Sequence, residues 1–384
     1  MRSVDDLSPE RLADLAEARR VLNLCSVCGY CDGLCEVFPA AEAASDLDDT
    51  TVVRLSHLCH ACRGCAPACQ YASPHPFAVD VPLALSRVRE GSWRRRPGLA
   101  LLPSAAVIGG IAVATPAEVL FAPQTGAGAF ERIVPLATVI VAAAVALARP
   151  AWMFGREILD AVRRLPKGER LAGLADAARR IAAFHDLDGG GGGCSEDGDR
   201  LGRLRRWSHL GVLHGFLACF AATLVAGFDH HVLGLPAPYA LSSLPVVSGT
   251  VGGLALAAGT LGMIVAKART DPKLDVAARD FTLPVELFLV AASGLALLAA
   301  RETAAMGSLL ALHLGLVLGF FASAADGRFA HAPLRAMAMW HAAIERRARG
   351  TRGRTAMRRG RAFGPAAARA DRDDDGGPEP ADRT

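Results

Sequence analysis

Long apolar stretches fill the middle of the chain and alternate with shorter polar ones. Between residues 99 and 325, several stretches of roughly 18–23 residues carry one charge or none, which is the length that a helix needs to cross the hydrocarbon core of a bilayer. This pattern predicts an integral membrane protein of mainly α class. We place its six membrane-spanning helices at residues 99–121, 131–148, 208–228, 244–266, 283–300 and 304–325.

The basic residues assign these spans an orientation. Lys and Arg are concentrated in residues 87–96, 150–206, 267–280 and 326–384, which all lie on one side of the membrane if there are six spans. The opposite side has only Arg132 and Arg301. Because cytoplasmic loops carry the excess of Lys and Arg, we expect a multi-pass protein of the cytoplasmic (inner) membrane with both termini in the cytoplasm. The net charge of +4 is too small to indicate a nucleic acid partner.

Composition divides the chain into five segments. A cysteine-rich segment precedes the apolar spans, and a charged connection with a glycine run at 189–193 separates the first two spans from the last four. The final segment alternates Arg with Ala and Gly and then becomes acidic, which predicts a mostly disordered tail. The predicted segments are a cytoplasmic cysteine domain (1–97), a transmembrane hairpin (98–149), the connection (150–206), a four-helix transmembrane bundle (207–340) and the tail (341–384).

Eight cysteines lie between residues 25 and 69 in two copies of one spacing, C-x2-C-x2-C-x3-C. A predicted helix at 8–22 leads into the first copy. Three thiolates spaced in this way wrap one [4Fe-4S] cluster, and the fourth points toward a neighbouring cluster. The spacing therefore predicts two [4Fe-4S] clusters. The expected ligands are Cys25, Cys28, Cys31 and Cys69 for cluster one, and Cys59, Cys62, Cys65 and Cys35 for cluster two.

The cysteine block leaves two questions open. Structural zinc is the alternative to iron and sulfur, but zinc sites usually use two CxxC pairs that a longer loop separates. In bacterial ferredoxins a proline follows the fourth cysteine, whereas Glu36 and Gln70 stand there in this chain. A helical ferredoxin-like module is therefore as compatible with the sequence as the ferredoxin β-fold. Cys219 is interpreted as a small core residue, and Cys194 has no assigned role.

Histidines within or near the apolar spans are candidate haem ligands, because an ionisable side chain in a membrane helix is costly. His313 and His331 are five full helical turns apart, so they share a face if the last span continues past residue 325. His209 and His230 differ by about 60° in helical phase, and His214 is rotated away from His209. This arrangement predicts b-type haem at two levels, His209 with His331 and His230 with His313. A single haem, or histidines that only pack, are the alternatives.

The same residues resemble the tricarballylate/citrate-utilisation protein B family. The resemblance spans roughly residues 15–345 and is most specific in the cysteine block. The segments that carry it are CSVCGYCDGLCEVFPA (25–40), LCHACRGCAPACQYASPHPFAV (58–79), the glycine run that ends at Cys194, RRWSH (205–209), HHVLGLPAPY (230–239), SLPVVSGTVGG (243–253), ETAAMGSLLALHLG (302–315) and GRFAH (327–331).

The resemblance implies an electron-transfer protein of the inner membrane. Its expected partner is a soluble FAD-dependent dehydrogenase, the A protein of the same system, which oxidises tricarballylate or a related acid. Electrons would pass from the reduced flavin through two [4Fe-4S] clusters and one or two b-type haems to quinone in the membrane lipid. The resemblance also places His209, His230, His313 and His331 at the family's histidine positions.

Three other functions are compatible with parts of the sequence. The chain could be the iron–sulfur membrane subunit of a different flavoprotein dehydrogenase or reductase, or a cluster-based redox sensor. A tricarboxylate transporter would leave the cluster cysteines unexplained, and the two halves of the chain show no obvious repeat. Haem content separates these functions, because only the electron-transfer subunits need it.

Overall fold

The computed structural model describes residues 8–44, 46–61, 64–66, 68–91, 100–184, 200–269 and 281–363. Regular structure in these ranges is helical, which confirms the predicted mainly α class. The α-helices are α1 (Pro9–Cys28), α2 (Val37–Glu42), α3 (Asp49–Leu58), α4 (Val81–Gly91), α5 (Leu101–Ala114), α6 (Ala117–Leu120), α7 (Leu136–Arg164), α8 (Arg170–Ala183), α9 (Arg200–His231), α10 (Leu244–Ala268), α11 (Thr282–Ala299), α12 (Met306–Ser323) and α13 (His331–Phe363).

The N-terminal domain consists of α1 to α4 and the cysteine loops between them. Helix α1 begins at a Ser8 cap followed by Pro9, and it ends at Gly29, whose φ of +64° suits glycine. It runs beyond the predicted end at residue 22, so its last turn carries Cys25 and Cys28. Asp48 caps α3, because its carboxylate accepts the Thr51 backbone N–H at 2.8 Å.

Helix α13 contributes to the core of the N-terminal domain. Ala342 and Ala343 are fully buried in the same cluster as Leu22, Leu55 and Leu85. The prediction that 341–384 is a disordered tail is therefore wrong for the part of α13 that packs. Small alanines on one face of the helix bury well despite the many arginines, which composition alone does not reveal. Residues 364–384 lie outside the described residues.

Within the described residues, five helices are long and apolar enough to cross a membrane: α7, α9, α10, α11 and α12. Helix α7 begins at Leu136 after Pro135 rather than at the predicted residue 131. Arg132 instead ties the preceding loop together, because its guanidinium donates to Gln124 Oε1 at 2.9 Å and to the Thr125 carbonyl at 2.6 Å.

The first predicted span, 99–121, is broken in the structure. Helix α5 has 14 residues, about 21 Å in length, and is shorter than the hydrocarbon core of a bilayer. It ends at Ala114, because Pro116 has no N–H and favours the extended backbone seen at Thr115.

Helices α5 and α6 together lie along α12. Gly319 of α12 contacts Ser104 near the start of α5, and Gly315 contacts Ile108 one turn later. Gly307, near the other end of α12, contacts the carbonyl of Leu120 at the end of α6. The α5–α6 segment therefore covers nearly the same depth as α12, although it is not one continuous helix.

The last predicted span does not continue into the helix that carries His331. Helix α12 ends at Ser323, and the Gly327 N–H donates to the Ser323 carbonyl at 2.7 Å in the turn that follows. A 3-10 turn, Arg328–Ala330, then precedes His331, the first residue of α13. His313 and His331 therefore lie on different helices, and the continuous last span that would place them on one face is absent.

Glycines bring α9 and α10 into close contact. A Cβ on Gly215 would lie 2.5 Å from the Leu256 backbone nitrogen, and one on Gly259 would lie 2.7 Å from the Ser208 carbonyl oxygen. Only glycine allows this backbone approach, which is the usual way in which membrane helices pack.

Candidate metal centre

Four cysteines of the N-terminal domain line one small cavity. Cys25 and Cys28 come from the last turn of α1, Cys31 from the loop after it, and Cys69 from the second cysteine segment. Burial, together with the neighbouring thiols of Cys31, Cys69 and Cys28, raises the pKa of the Cys25 thiol to about 12. The cavity thus brings together the four residues predicted as ligands of cluster one, including the distant Cys69.

Polar hydrogens point at the sulfur atoms in both cysteine segments. Gln70 Nε2 lies 3.8 Å from Cys28 Sγ and donates to it across the first cavity. The backbone N–H of Ala61 donates to Cys59 Sγ at 3.3 Å. Hydrogen bonds to the sulfur ligands are among the features that set the potential of an iron–sulfur cluster.

The second cysteine group is described in part. Cys35, Cys59 and Cys65 all pack against the core of the N-terminal domain, whereas Cys62 lies outside the described residues. Among the described side chains, no three of His, Cys, Asp and Glu converge as closely as the ligands of a single metal ion. A four-iron cluster spreads its thiolates over separate iron atoms, so the cavity between Cys25, Cys28, Cys31 and Cys69 fits a cluster better than one zinc ion.

Glu36, the residue that stands in place of the ferredoxin proline after Cys35, is buried among arginines. Its carboxylate lies 2.7 Å from Arg346, 3.5 Å from Arg349 and 3.5 Å from Arg180. Arg346 also binds Asp176 at 2.8 Å. We refer to these five residues as the Glu36 network; it ties the second cysteine group to α8 and α13.

Four histidines gather where the N-terminal domain meets α9 and α13. His57 and His60 flank Cys59, His209 lies in α9, and His331 begins α13. Burial lowers the pKa of His57 to about 3 and that of His331 to about 4, and it holds the pKa of His60 well below its usual range. The positive charges of Arg335 and Arg89 act on all three in the same direction. Neutral imidazole is the form that binds a metal.

Contacts within this histidine cluster suit a metal ligand set. His331 Nδ1 lies 2.6 Å from the Arg328 carbonyl and donates to it, which is the usual way to orient a ligating imidazole. His60 Nε2 is buried without a hydrogen-bond partner. The Phe184 ring lies between His60 and His209, with centroids 6.4 Å and 5.4 Å away. Phe184 adopts a φ of +45°, which a non-glycine residue rarely does.

The structure brings His209 and His331 into one cluster, as predicted, but it adds His57 and His60. These two histidines were not predicted, although the pattern His-Leu-Cys-His-Ala-Cys places both near Cys59, a predicted cluster ligand. The described residues thus provide more than two candidate axial ligands at the junction of the N-terminal domain with α9 and α13.

The other two candidate ligands contact different neighbours. His230 Nδ1 lies 3.8 Å from Glu131 Oε1, and the His230 ring stacks edge-on with that of His231 at 5.1 Å. His313 Nδ1 lies 3.0 Å from Ser293 Oγ in α11. None of these contacts joins His230 to His313, so a haem between them stays a prediction.

Three further residues, His214, Cys219 and Cys194, were not predicted to bind a cofactor. His214, which phase sets apart from His209, is exposed and donates from Nδ1 to the Leu210 carbonyl of its own helix at 3.0 Å. Cys219 is partly buried in α9, with its Sγ 3.9 Å from the Gly249 carbonyl. Cys194 lies outside the described residues.

A helical cysteine domain on a bundle of long apolar helices defines a multi-pass membrane protein with a ferredoxin-like domain. Family profiles agree: the citrate utilization protein B Fer4-like domain matches residues 18–94, and citrate utilization protein B matches residues 91–352. The chain is 35% identical to the citrate utilization protein B of Escherichia coli, over 86% of this chain and 93% of that protein. No solved structure matches the chain. The chain belongs to the citrate utilization protein B family, which confirms the resemblance noted from its motifs.

Proposed function

We propose that this protein carries electrons from a soluble FAD-dependent tricarballylate-type dehydrogenase to quinone in the inner membrane. The observation that carries the proposal is the convergence of Cys25, Cys28, Cys31 and Cys69 on one cavity, with a histidine cluster between the cysteine domain and the membrane helices. Two [4Fe-4S] clusters and b-type haem supply one-electron oxidation and reduction when bound.

The residues of the chain hold and shield these groups. Cys25, Cys28, Cys31 and Cys69 would hold cluster one, and Cys35, Cys59, Cys62 and Cys65 would hold cluster two. His209 and His331 would hold a haem at the cytoplasmic level, because both are partly buried and His331 Nδ1 is fixed by Arg328. The N-terminal domain and α13 enclose these positions, and Leu55 and Ala342 exclude water from the shared core.

The proposed topology has six crossings with both termini in the cytoplasm. Arg54 of the N-terminal domain binds Glu345 of α13 at 3.0 Å, so the two ends of the described chain lie on the same side. An even number of crossings is then required, and the α5–α6 segment supplies the sixth beside the five long helices. The excess of Lys and Arg on that side supports a cytoplasmic location.

A visible spectrum with chemical analysis tests the cofactors. Anaerobically purified protein should contain about eight non-haem irons and as much acid-labile sulfide, and its reduced-minus-oxidised spectrum should show a b-type α-band. Pyridine haemochrome on the same sample counts the haems. Clusters without haem would contradict the roles of His209 and His331.

Two further experiments test the ligands and the partner. Replacement of Cys59, Cys62 and Cys65 together with Ser should remove one cluster, and signals from both clusters would contradict the assignment. Addition of the reduced dehydrogenase should reduce the clusters and haem without any quinone present. If they stay oxidised, the flavoprotein partner is wrong.

A further inference from the structure

A groove of about 710 Å³ lies between the N-terminal domain, α7 and α13. One wall is a face of α3 that includes Val53 and His57, and the second is the polar half of α7 with Met153 and Phe154. Helix α13 contributes Leu334 and His341. The volume of the groove lies in the range of sites that bind small organic molecules. Such sites are typically apolar with a few polar groups.

The groove lies at the expected depth of the lipid headgroups. The apolar part of α7 ends at Arg149, which lines the groove and forms an ion pair with Asp326 just beyond α12. One turn further, Trp152 is 67% exposed and its ring lies 5.7 Å below the Arg156 guanidinium. A tryptophan and arginines at a helix end are typical of the membrane–water interface. The groove is therefore within reach of a molecule dissolved in the bilayer.

The charges around the groove do not favour an anion. The described residues that line the groove include equal numbers of positive and negative side chains. The four arginines are Arg11, Arg54, Arg149 and Arg164, and the four carboxylates are Asp49, Glu157, Asp160 and Asp326. Burial, with the nearby Arg54 and Arg164, lowers the pKa of His341 to about 4, so this imidazole is neutral. A phosphate headgroup would require a surplus of arginine, whereas the neutral hydrogen-bonding groups of Thr51 and His341 suit carbonyl oxygens.

The groove also reaches the second cysteine group. The face of α3 that lines it runs through Asp49, Val53 and His57, and the helix ends one residue before Cys59. A ligand in the groove would therefore contact the helix that leads directly into Cys59. A position beside the second cysteine group is useful to a ligand that exchanges electrons with a cluster there, and it gives no advantage to other ligands.

From these observations we infer that the groove binds the ring of a quinone, with its isoprenoid tail in the bilayer. The inference rests on the proposed function and gives the binding site of its electron acceptor. Each quinone that becomes quinol takes up two electrons, which originate in the reduced flavin of the partner, and two protons, which come from water at the open side of the groove. His341 and Thr51 position the carbonyl oxygens.

A cavity-filling variant tests the location. Met153 lines the groove and is 37% exposed, whereas Leu147 on the same helix is 39% exposed and lies outside it. The full-length protein is reconstituted in quinone-free phosphatidylcholine nanodiscs, and binding of decylubiquinone is measured together with oxidation of the dithionite-reduced protein. In M153W, quinone affinity and oxidation rate should both fall by about tenfold or more. L147W should behave as the wild type, and all three proteins should keep their iron, sulfide and haem.

A second variant and a lipid assay separate the alternatives. L334W fills the groove from α13 and should reproduce the loss seen in M153W. Equal quinone affinity in all variants would overturn the inference. The inference would also be overturned if the wild type retained a bound phospholipid that M153W releases and that quinone does not displace, because the groove would then be a lipid site. Reduction of the clusters by the partner needs no quinone. If it persists while M153W binds quinone normally, the groove assignment fails and the proposed function stands.

Discussion

At the scale of single residues, the two positions that depart from the ferredoxin pattern each make a specific contact. Gln70 donates to the sulfur of Cys28, and Glu36 binds arginines of α8 and α13. A proline at either position would lack such a side chain. Where ferredoxins have a rigid proline, this chain thus has a side chain that contacts a cysteine sulfur, in the case of Gln70, or connects the cysteine domain to α8 and α13, in the case of Glu36.

Replacement of Gln70 by Leu should lower the reduction potential of the cluster that we propose for Cys25, Cys28, Cys31 and Cys69. The amide donates to Cys28 Sγ, and this hydrogen bond favours the more negative, reduced form. If it is worth about 1 kcal/mol, its loss corresponds to about 40 mV for one electron. Redox titration followed by electron paramagnetic resonance measures the shift. Q124L, in a distant loop, is the matched control, and an unchanged potential in Q70L would show that the contact does not act on the cluster.

Replacement of Glu36 by Gln should destabilise the attachment of the cysteine domain. The side chain of Glu36 is 9% exposed. Loss of its negative charge leaves the positive charges of Arg180, Arg346 and Arg349 with fewer neighbouring carboxylates. Breaking a buried ion pair costs about 3 kcal/mol or more, and the cost here is expected near the lower end because Arg346 keeps Asp176. Thermal unfolding in detergent measures it.

The exposed pair Arg347–Glu169 provides the control for Glu36. Both side chains are more than 40% exposed, so E169Q should change stability by less than about 1 kcal/mol. If E36Q and E169Q have the same small effect, the Glu36 network does not hold the domains together.

At the scale of helices, hydropathy predicted the long spans well and failed where the backbone changes direction. Apolar runs identify α9 to α12 because each is one continuous helix. The same property cannot detect the break at Thr115 and Pro116, since residues on both sides are apolar. It also missed α13, because a helix that buries alanines between arginines has low mean hydropathy.

Two glycine-to-alanine variants test the contact between α9 and α10. A Cβ on Gly259 would lie 2.7 Å from the backbone of α9, whereas one on Gly227 would meet nothing within 4 Å. G259A should cost about 1–3 kcal/mol by overpacking and should reduce haem content, because the contact is at Ser208 beside His209. G227A should be neutral or slightly stabilising, because alanine favours helix. Thermal unfolding measures the stability of both variants, and pyridine haemochrome measures their haem content. Equal stability of G259A and G227A would show that close contact between α9 and α10 does not stabilise the protein.

At the scale of the whole molecule, the histidine cluster shows what a sequence cannot supply. His60, His209 and His331 lie far apart in the chain, and they come together where α9 and the start of α13 meet the N-terminal domain. Periodicity within one helix relates only positions on that helix, so it could neither relate His209 in α9 to His331 in α13 nor add His60. The cysteine spacing was more informative, because a cluster is wrapped by a short local loop.

Two truncations test whether α13 holds the molecule together. Described contacts of α13 with the N-terminal domain extend to Arg349, whose guanidinium donates to the Pro39 carbonyl at 2.6 Å. Removal of residues 350–384 should therefore leave the iron, sulfide and haem content unchanged. Removal of residues 331–384 takes away His331 and Arg346 and exposes the core that Ala342 and Ala343 cover. This shorter chain should lose haem and should be cleaved by trypsin in the N-terminal domain at least about tenfold faster, because burial of that core opposes local unfolding. Equal cofactor content and equal cleavage in the two truncations would mean that the N-terminal domain folds and attaches without α13.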